Sequence, residues 1–232
     1  MRFSPLKVST AVIISHPLDS NVTLSHLLDS EEPDKPELNI VNVNMISVMY
    51  TMKLARHYFM KHPLDQGHDR CFIINASLIG YLDLPGAPQY MAAKWGCRAL
   101  MRCLRRNTVV DGIRANLTGP WYVGTSILSP RVQEHCKGNG IVFAEAADCA
   151  GAMLKIASDP SINGESFARR LGQCFHPLTT TLGRSFAIVP RDLAVYGYYD
   201  IGKDDYAEGE VLDDQQDILL RTSHRLRVKD SD

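Results

Sequence analysis

The sequence predicts an α/β domain, a doubly wound parallel sheet flanked by helices. Short apolar runs bounded by turn residues, "VSTAVII" at 8–14, "RCFIINAS" at 70–77 and "RSFAIV" at 184–189, read as buried strands. Longer stretches with helical spacing of apolar residues separate them, and such alternation argues for parallel strands joined by crossover helices. The chain of 232 residues is 45% hydrophobic and 22% charged, enough for one packed core and far from the composition of disorder.

The elements follow in order. Residues 8–14 are β-branched and apolar between Pro5 and Pro17. After the polar stretch "DSEEPDKPE", residues 42–61 carry apolar side chains on several faces and good helix formers, which predicts a largely buried helix. The run at 70–77 is the next strand. "LIGYLDLPGAP" makes a loop, and 89–107 forms a helix whose Ala93, Cys97, Leu100 and Leu104 line one stripe. "DGIRANLTGP" at 111–120 is a strand, 144–158 a helix and 184–189 a strand. The whole, 1–232, is read as a single domain with an atypical N-terminal segment at 1–40 and a C-terminal extension at 191–232. "NGESFA" at 163–168 recurs as "LGRSFA" at 182–187, and joining Gly164 to Arg184 gives a smooth turn into a strand. Residues 165–183 are therefore expected to be an insertion, as a retained intron translated in frame would leave.

Bulk chemistry excludes several classes of function. A formal net charge of −1 offers no field for a phosphate backbone, and the run Arg98, Arg102, Arg105 and Arg106 reads as a solvated helix face, so neither nucleic acid nor membrane is an expected partner. No run reaches the 18 or so apolar residues of a spanning helix. Six scattered cysteines without CxxC pairs suit reduced thiols in a cytoplasmic protein. The start lacks a small-residue cleavage site, against a signal peptide. His57 and His62 share no helix face and have no acidic or thiol companions, so no metal site is expected.

Tyr90 and Lys94 in "PQYMAAKWG" lie four apart at a helix start, one turn from each other. A phenol used as a general acid must be poised nearer neutrality than its ordinary value, and an adjacent ammonium favours the phenolate. A carbonyl under reduction also needs a hydroxyl to hold its oxygen, and Ser77 ends a buried strand thirteen residues earlier, where parallel sheets place ligand chemistry. Each residue has a structural use as well: Ser77 can end a strand, Asn44 can cap a helix start, and Thr125 or Ser126 can cap the next helix.

Taken together, Ser77, Tyr90-xxx-Lys94 and "IRANLTGPWYVGT" resemble the short-chain dehydrogenase/reductase family of fungal type, and "VNVNMISVMYTMKLA" resembles its helix bearing a fourth catalytic residue. The resemblance covers roughly 40–160 and implies a Rossmann-like fold and an NADP- or NAD-dependent oxidoreductase that interconverts a small-molecule alcohol and ketone. It further implies that Tyr90 exchanges a proton with the substrate oxygen, Ser77 holds that oxygen, Lys94 lowers the tyrosine pKa and binds the nicotinamide ribose, and Asn44 keeps a helix kink and a relay water. Val123 and Thr125 would meet the cofactor, with Lys53 a further candidate. The style of "ASLIGYLDLPGAPQYMAAKWG" suggests fungal secondary metabolism, and family members usually pair through their two long helices, so a homo-oligomer is expected.

Departures from the family pattern are Trp121 where Pro-Gly is usual, Ala93 where Ser often precedes the lysine, and no glycine before Gly67, hence no Gly-rich phosphate turn. The expectation is an N-terminally truncated domain with its catalytic half intact. The alternative is a non-catalytic scaffold or binding relative, or a truncated gene product that never folds stably.

Overall fold

A computed structural model describes residues 8–14, 36, 38–61, 69–108, 111–162, 184–202 and 215. Five strands form one sheet in the order β1-β2-β3-β4-β5: β1 (Val8–Ile14), β2 (Asp69–Asn75), β3 (Ile113–Pro120), β4 (Ser185–Ile188) and β5 (Tyr198–Gly202). The first four run parallel, with Val8 opposite Asp69, Arg70 opposite Ile113 and Leu117 opposite Ser185. The four parallel strands and the helices at 88–107 and 146–158 are those expected. The proposed insertion at 165–183 lies outside the described residues, as do most of the segments 1–40 and 203–232.

The unbroken apolar run of β2 is explained by its two covered faces. Phe72 and Ile74 pack with Val48, Met52, Cys97 and Met101 from helices α2 (Ser47–Met60) and α3 (Pro88–Asn107). Cys71 and Ile73 turn to the other face and meet Ile156 of α5 (Ala146–Ser158) and Phe186. Alternation of side chains along a strand thus buries successive residues against opposite layers.

The long helix predicted at 42–61 is compound. A short α1 (Asn39–Val41) leads into a π-helical turn, Asn42–Ile46, before α2. Gly96 of α3 faces that turn, where an added Cβ would come 2.4 Å from the Met45 thioether, so glycine permits the close approach.

Two features depart from the sequence reading. The stretch read as a C-terminal extension from 191 contains β5, which pairs antiparallel with β4 after a turn at Gly197. Gly197 has φ +70°, and a side chain there would collide with the Asp148 carboxylate, which Arg191 grips with two hydrogen bonds of 3.0 and 2.8 Å. A short helix α4 (Pro130–Gly138) also forms where none was expected; Ser129 caps it by accepting from the Val132 amide, and proline occupies its first turn.

At the amino ends of the strands, "IRAN" is a structural device. Arg114 grips the Asp69 carboxylate through Nε (2.8 Å) and Nη2, and Nη1 donates to the carbonyls of Ile156 and Ile162 at 2.9 and 3.1 Å. Asn116 accepts from the Arg184 amide at 3.0 Å, which sets β4 beside β3. The clamp fixes strand register and leaves the carboxyl ends free for chemistry.

Candidate active site

β2 leaves the sheet at Ser77, which has extended backbone and starts a 3-10 turn, Leu78–Gly80. Its hydroxyl accepts from the Ile79 amide (3.2 Å) and donates to the Pro120 carbonyl at the end of β3 (3.3 Å). Gly80 permits this crowding: a Cβ there would lie 3.2 Å from the Lys94 carbonyl, closer than ordinary van der Waals contact. Arg98 ties the turn to α3 by donating to the Gly80 carbonyl at 3.0 Å.

Pro88 stands in the first turn of α3, so the helix opens just before Tyr90, and the i, i+4 spacing puts Tyr90 and Lys94 on one face. That face is inward. Tyr90 is 8% and Lys94 1% exposed, and the Lys94 ammonium lies 5.3 Å from the centroid of the Tyr90 ring. The Tyr90 phenol and the Ser77 hydroxyl line the same cavity.

Electrostatics qualify one expectation. Burial raises the Tyr90 phenol above its ordinary value, and the Ser77 hydrogen bond, which favours the phenolate, only partly opposes it. A tyrosine lowered toward neutrality by Lys94 is not what this arrangement produces: the ammonium faces the ring, and the desolvation of the site dominates. Lys94 itself is brought down to about 8 by burial, with Cys97 pulling weakly upward.

Ser77, Tyr90, Lys94, Val123 and Thr125 all line one cavity of about 280 Å³ at the carboxyl ends of β2 and β3. Asn44 and Lys53 do not. Asn44 sits in the π-helical turn, 1% exposed; its amide donates to the Ile40 carbonyl at 3.0 Å, its backbone carbonyl accepts from the Cys97 thiol at 3.1 Å, and its side-chain oxygen is buried without a partner. It is inside the helix and caps nothing. Lys53 is exposed on α2. Sequence reasoning missed Trp121, Tyr122 and Cys149 as cavity walls. The first two stand inside the very motif "PWYVGT", and their position after a strand end was the available signal.

The residues present fit the nicotinamide end of a cofactor. A buried lysine and a phenol face the cavity, and among the described residues the Thr125 hydroxyl has no hydrogen-bond partner while its carbonyl accepts from Leu128 and Gln133. A second hollow of about 270 Å³, beside Lys155, Arg184 and Asp200, lies toward the amino end of β4, away from these groups. Among the described residues there is no metal-ligating cluster, and no helix is long and apolar enough to cross a membrane.

Residues 19–135 match the model of the short chain dehydrogenase family. The chain belongs to that family. Two fungal relatives are 5'-hydroxyaverantin dehydrogenases, from Dothistroma septosporum (35% identical over 149 residues, covering 61% of this chain and 48% of the relative) and from Emericella nidulans (28% over 151 residues, 59% and 48%). The chain spans about half the length of those curated relatives. A crystal structure from Sinorhizobium meliloti, ascribed to the short-chain alcohol dehydrogenases, shares the fold with a TM-score of 0.54 at 19% identity, over 65% of this chain and 58% of that one.

Proposed function

We propose that this chain carries the catalytic part of a nicotinamide-dependent oxidoreductase that interconverts an alcohol and a ketone. The supporting observation is the convergence of Ser77, Tyr90 and Lys94 on one cavity at the carboxyl ends of β2 and β3. When bound, the cofactor supplies or accepts the hydride. Tyr90 holds the proton that moves to or from the substrate oxygen, and a raised phenol suits the donor in the reducing direction. Ser77, on the wall of the same cavity, orients that oxygen with its hydroxyl. Lys94 and Thr125 would hold the nicotinamide ribose and the adjoining polar groups, with Val123 beneath. Asn44, one layer behind through Cys97, would place a relay water with its unpartnered oxygen. The two fungal relatives are named for 5'-hydroxyaverantin, and we assign this chain to the same broad setting, fungal secondary metabolism.

Titration of the purified chain with NADH and NADPH, read by their fluorescence, tests the reading. Binding of one of them is expected. Tyr90→Phe is then expected to lower turnover at least a hundredfold, the range of a positioned proton donor, while leaving the folding transition in place. A folded sample that binds neither cofactor would sink the proposal.

The proposed assembly is a homo-oligomer. Tyr50, Leu54 and Tyr58, at i, i+4 and i+8 on α2, are 68, 58 and 58% exposed, and Trp95 of α3 is 42% exposed. Association through these exposed apolar side chains would remove them from water. Sedimentation velocity is expected to show a dimer or larger species that Leu54→Lys reduces to monomer; a wild-type monomer at micromolar concentration rules it out.

A further inference from the structure

We propose that Tyr122 is a specificity-determining residue of the cavity, donating a hydrogen bond to a second oxygen on an aromatic ketone or alcohol, away from the reacting carbon. This rests on the reading above that Ser77 and Tyr90 hold the reacting oxygen.

Tyr122 follows Pro120 and Trp121 at the carboxyl end of β3 and lines the same cavity as Ser77, Tyr90 and Lys94. Its backbone is pinned, since its carbonyl accepts from the Ala144 amide at 2.8 Å and the next residue, Val123, bridges Ala144. Its ring is held on two sides: Trp121 meets it edge to face with centroids 5.0 Å apart, and Phe143 lies 6.2 Å away at 69°. A side chain fixed in this way presents its hydroxyl in one place. Among the described residues that hydroxyl has no hydrogen-bond partner, whereas the hydroxyl of Ser77 accepts from the Ile79 amide and donates to the Pro120 carbonyl.

The two phenols are near enough for charge on Tyr122 to be felt at Tyr90. Burial raises the Tyr122 phenol, so it remains a neutral O–H donor through the physiological range. The remaining wall is mostly apolar, with Ile79, Leu84, Ile127 and Leu128 around the aromatic pair. Such a cavity selects a flat, apolar ring system carrying two oxygens: one at the Ser77 and Tyr90 end, the other at Tyr122. A ring lacking the second oxygen would cover the Tyr122 hydroxyl and leave it unsatisfied, which is how a buried polar group rejects a deoxy analogue.

The test compares 1-tetralone with its 5-, 6- and 7-hydroxy derivatives, binding to the full chain being followed by quenching of tryptophan fluorescence. At least one hydroxy isomer is expected to bind the wild type about fivefold to tenfold more tightly than 1-tetralone, the worth of one net hydrogen bond. Tyr122→Phe, which keeps the ring and its packing, should erase that preference and leave the 1-tetralone Kd within about twofold. Tyr122→Ala should weaken all four ketones. A preference that survives in Tyr122→Phe overturns the assignment, as does a wild type that binds the four ketones equally or binds none. Because the readout is binding without cofactor, a failed NAD(P)H titration would sink the oxidoreductase reading while leaving the Tyr122 preference to stand or fall by itself.

Discussion

The two ends of the sheet each bury a cation, and they treat it in opposite ways. At the amino ends Arg114 is surrounded by acceptors: the Asp69 carboxylate takes two of its N–H groups and the Ile156 and Ile162 carbonyls share a third. Its pKa is raised, because those acceptors outweigh a burial that alone would lower it. At the carboxyl ends Lys94 is more deeply buried, and no carboxylate contributes to its shift; burial brings it down to about 8. A cation whose carboxylate partner outweighs its burial stabilises a register. One whose burial dominates is held at a cost in folding free energy, and that cost is tolerable where the charge serves a ligand.

The largest expected effect breaks the satisfied end. Asp69→Ala removes the carboxylate and strands the Arg114 guanidinium, 8% exposed at its side chain, between β2, β3 and α5. Loss of one partner from a buried pair costs about 3–5 kcal/mol, and the remaining carbonyl contacts place this case at the lower end. Urea denaturation should show a loss of about 3 kcal/mol, with ligand binding at the Tyr90 cavity unchanged under conditions where the chain is folded. A loss below 1 kcal/mol would mean that the clamp is not what sets the register.

The same contrast explains what was legible in the sequence. The strands at 8–14 and 70–77 and the helix at 89–107 were readable because each is either a bounded apolar run or a stripe at helical spacing, signals that depend only on local order. β5 was not, since Tyr198–Gly202 is recruited by pairing with β4 after the turn at Gly197, which lies against Asp148 of α5, a neighbour far away in the sequence. The helix α4 was missed although Ser129 and Pro130 announce it. Within the site, Ser77, Tyr90 and Lys94 could be named from spacing and from the family resemblance, because chemistry constrains residue type. Their protonation could not: burial raises the Tyr90 phenol and brings Lys94 down, and that burial is made by segments far apart in the sequence. Tyr122 was hidden by the same limit, an ordinary aromatic until its neighbours in space are known.

A smaller effect, and one that changes sign with respect to the first, tests the desolvated end. Lys94→Met removes a buried charge and keeps most of the side-chain volume, so stability at pH 7 should rise by a few kcal/mol at most, while NAD(P)H binding should be lost. The pH dependence separates this from a general packing gain. The folded-state pKa of about 8 is below the unfolded value of 10.5, so between them the unfolded wild type binds more protons than the folded one, and its stability rises with pH. Below pH 8 the burial penalty is fully present, and above pH 10.5 it is gone. Other buried groups titrate in the opposite sense, among them Cys71 and Cys149, both raised to about 11, but they are common to both proteins and cancel in the difference. The advantage of the methionine variant should therefore be constant from pH 6 to about 7.5 and shrink steadily from pH 8 to 10.5, as measured by denaturant midpoints at each pH. An advantage that does not vary with pH would mean that Lys94 is not held as a desolvated cation, and the two ends of the sheet would then differ in packing alone.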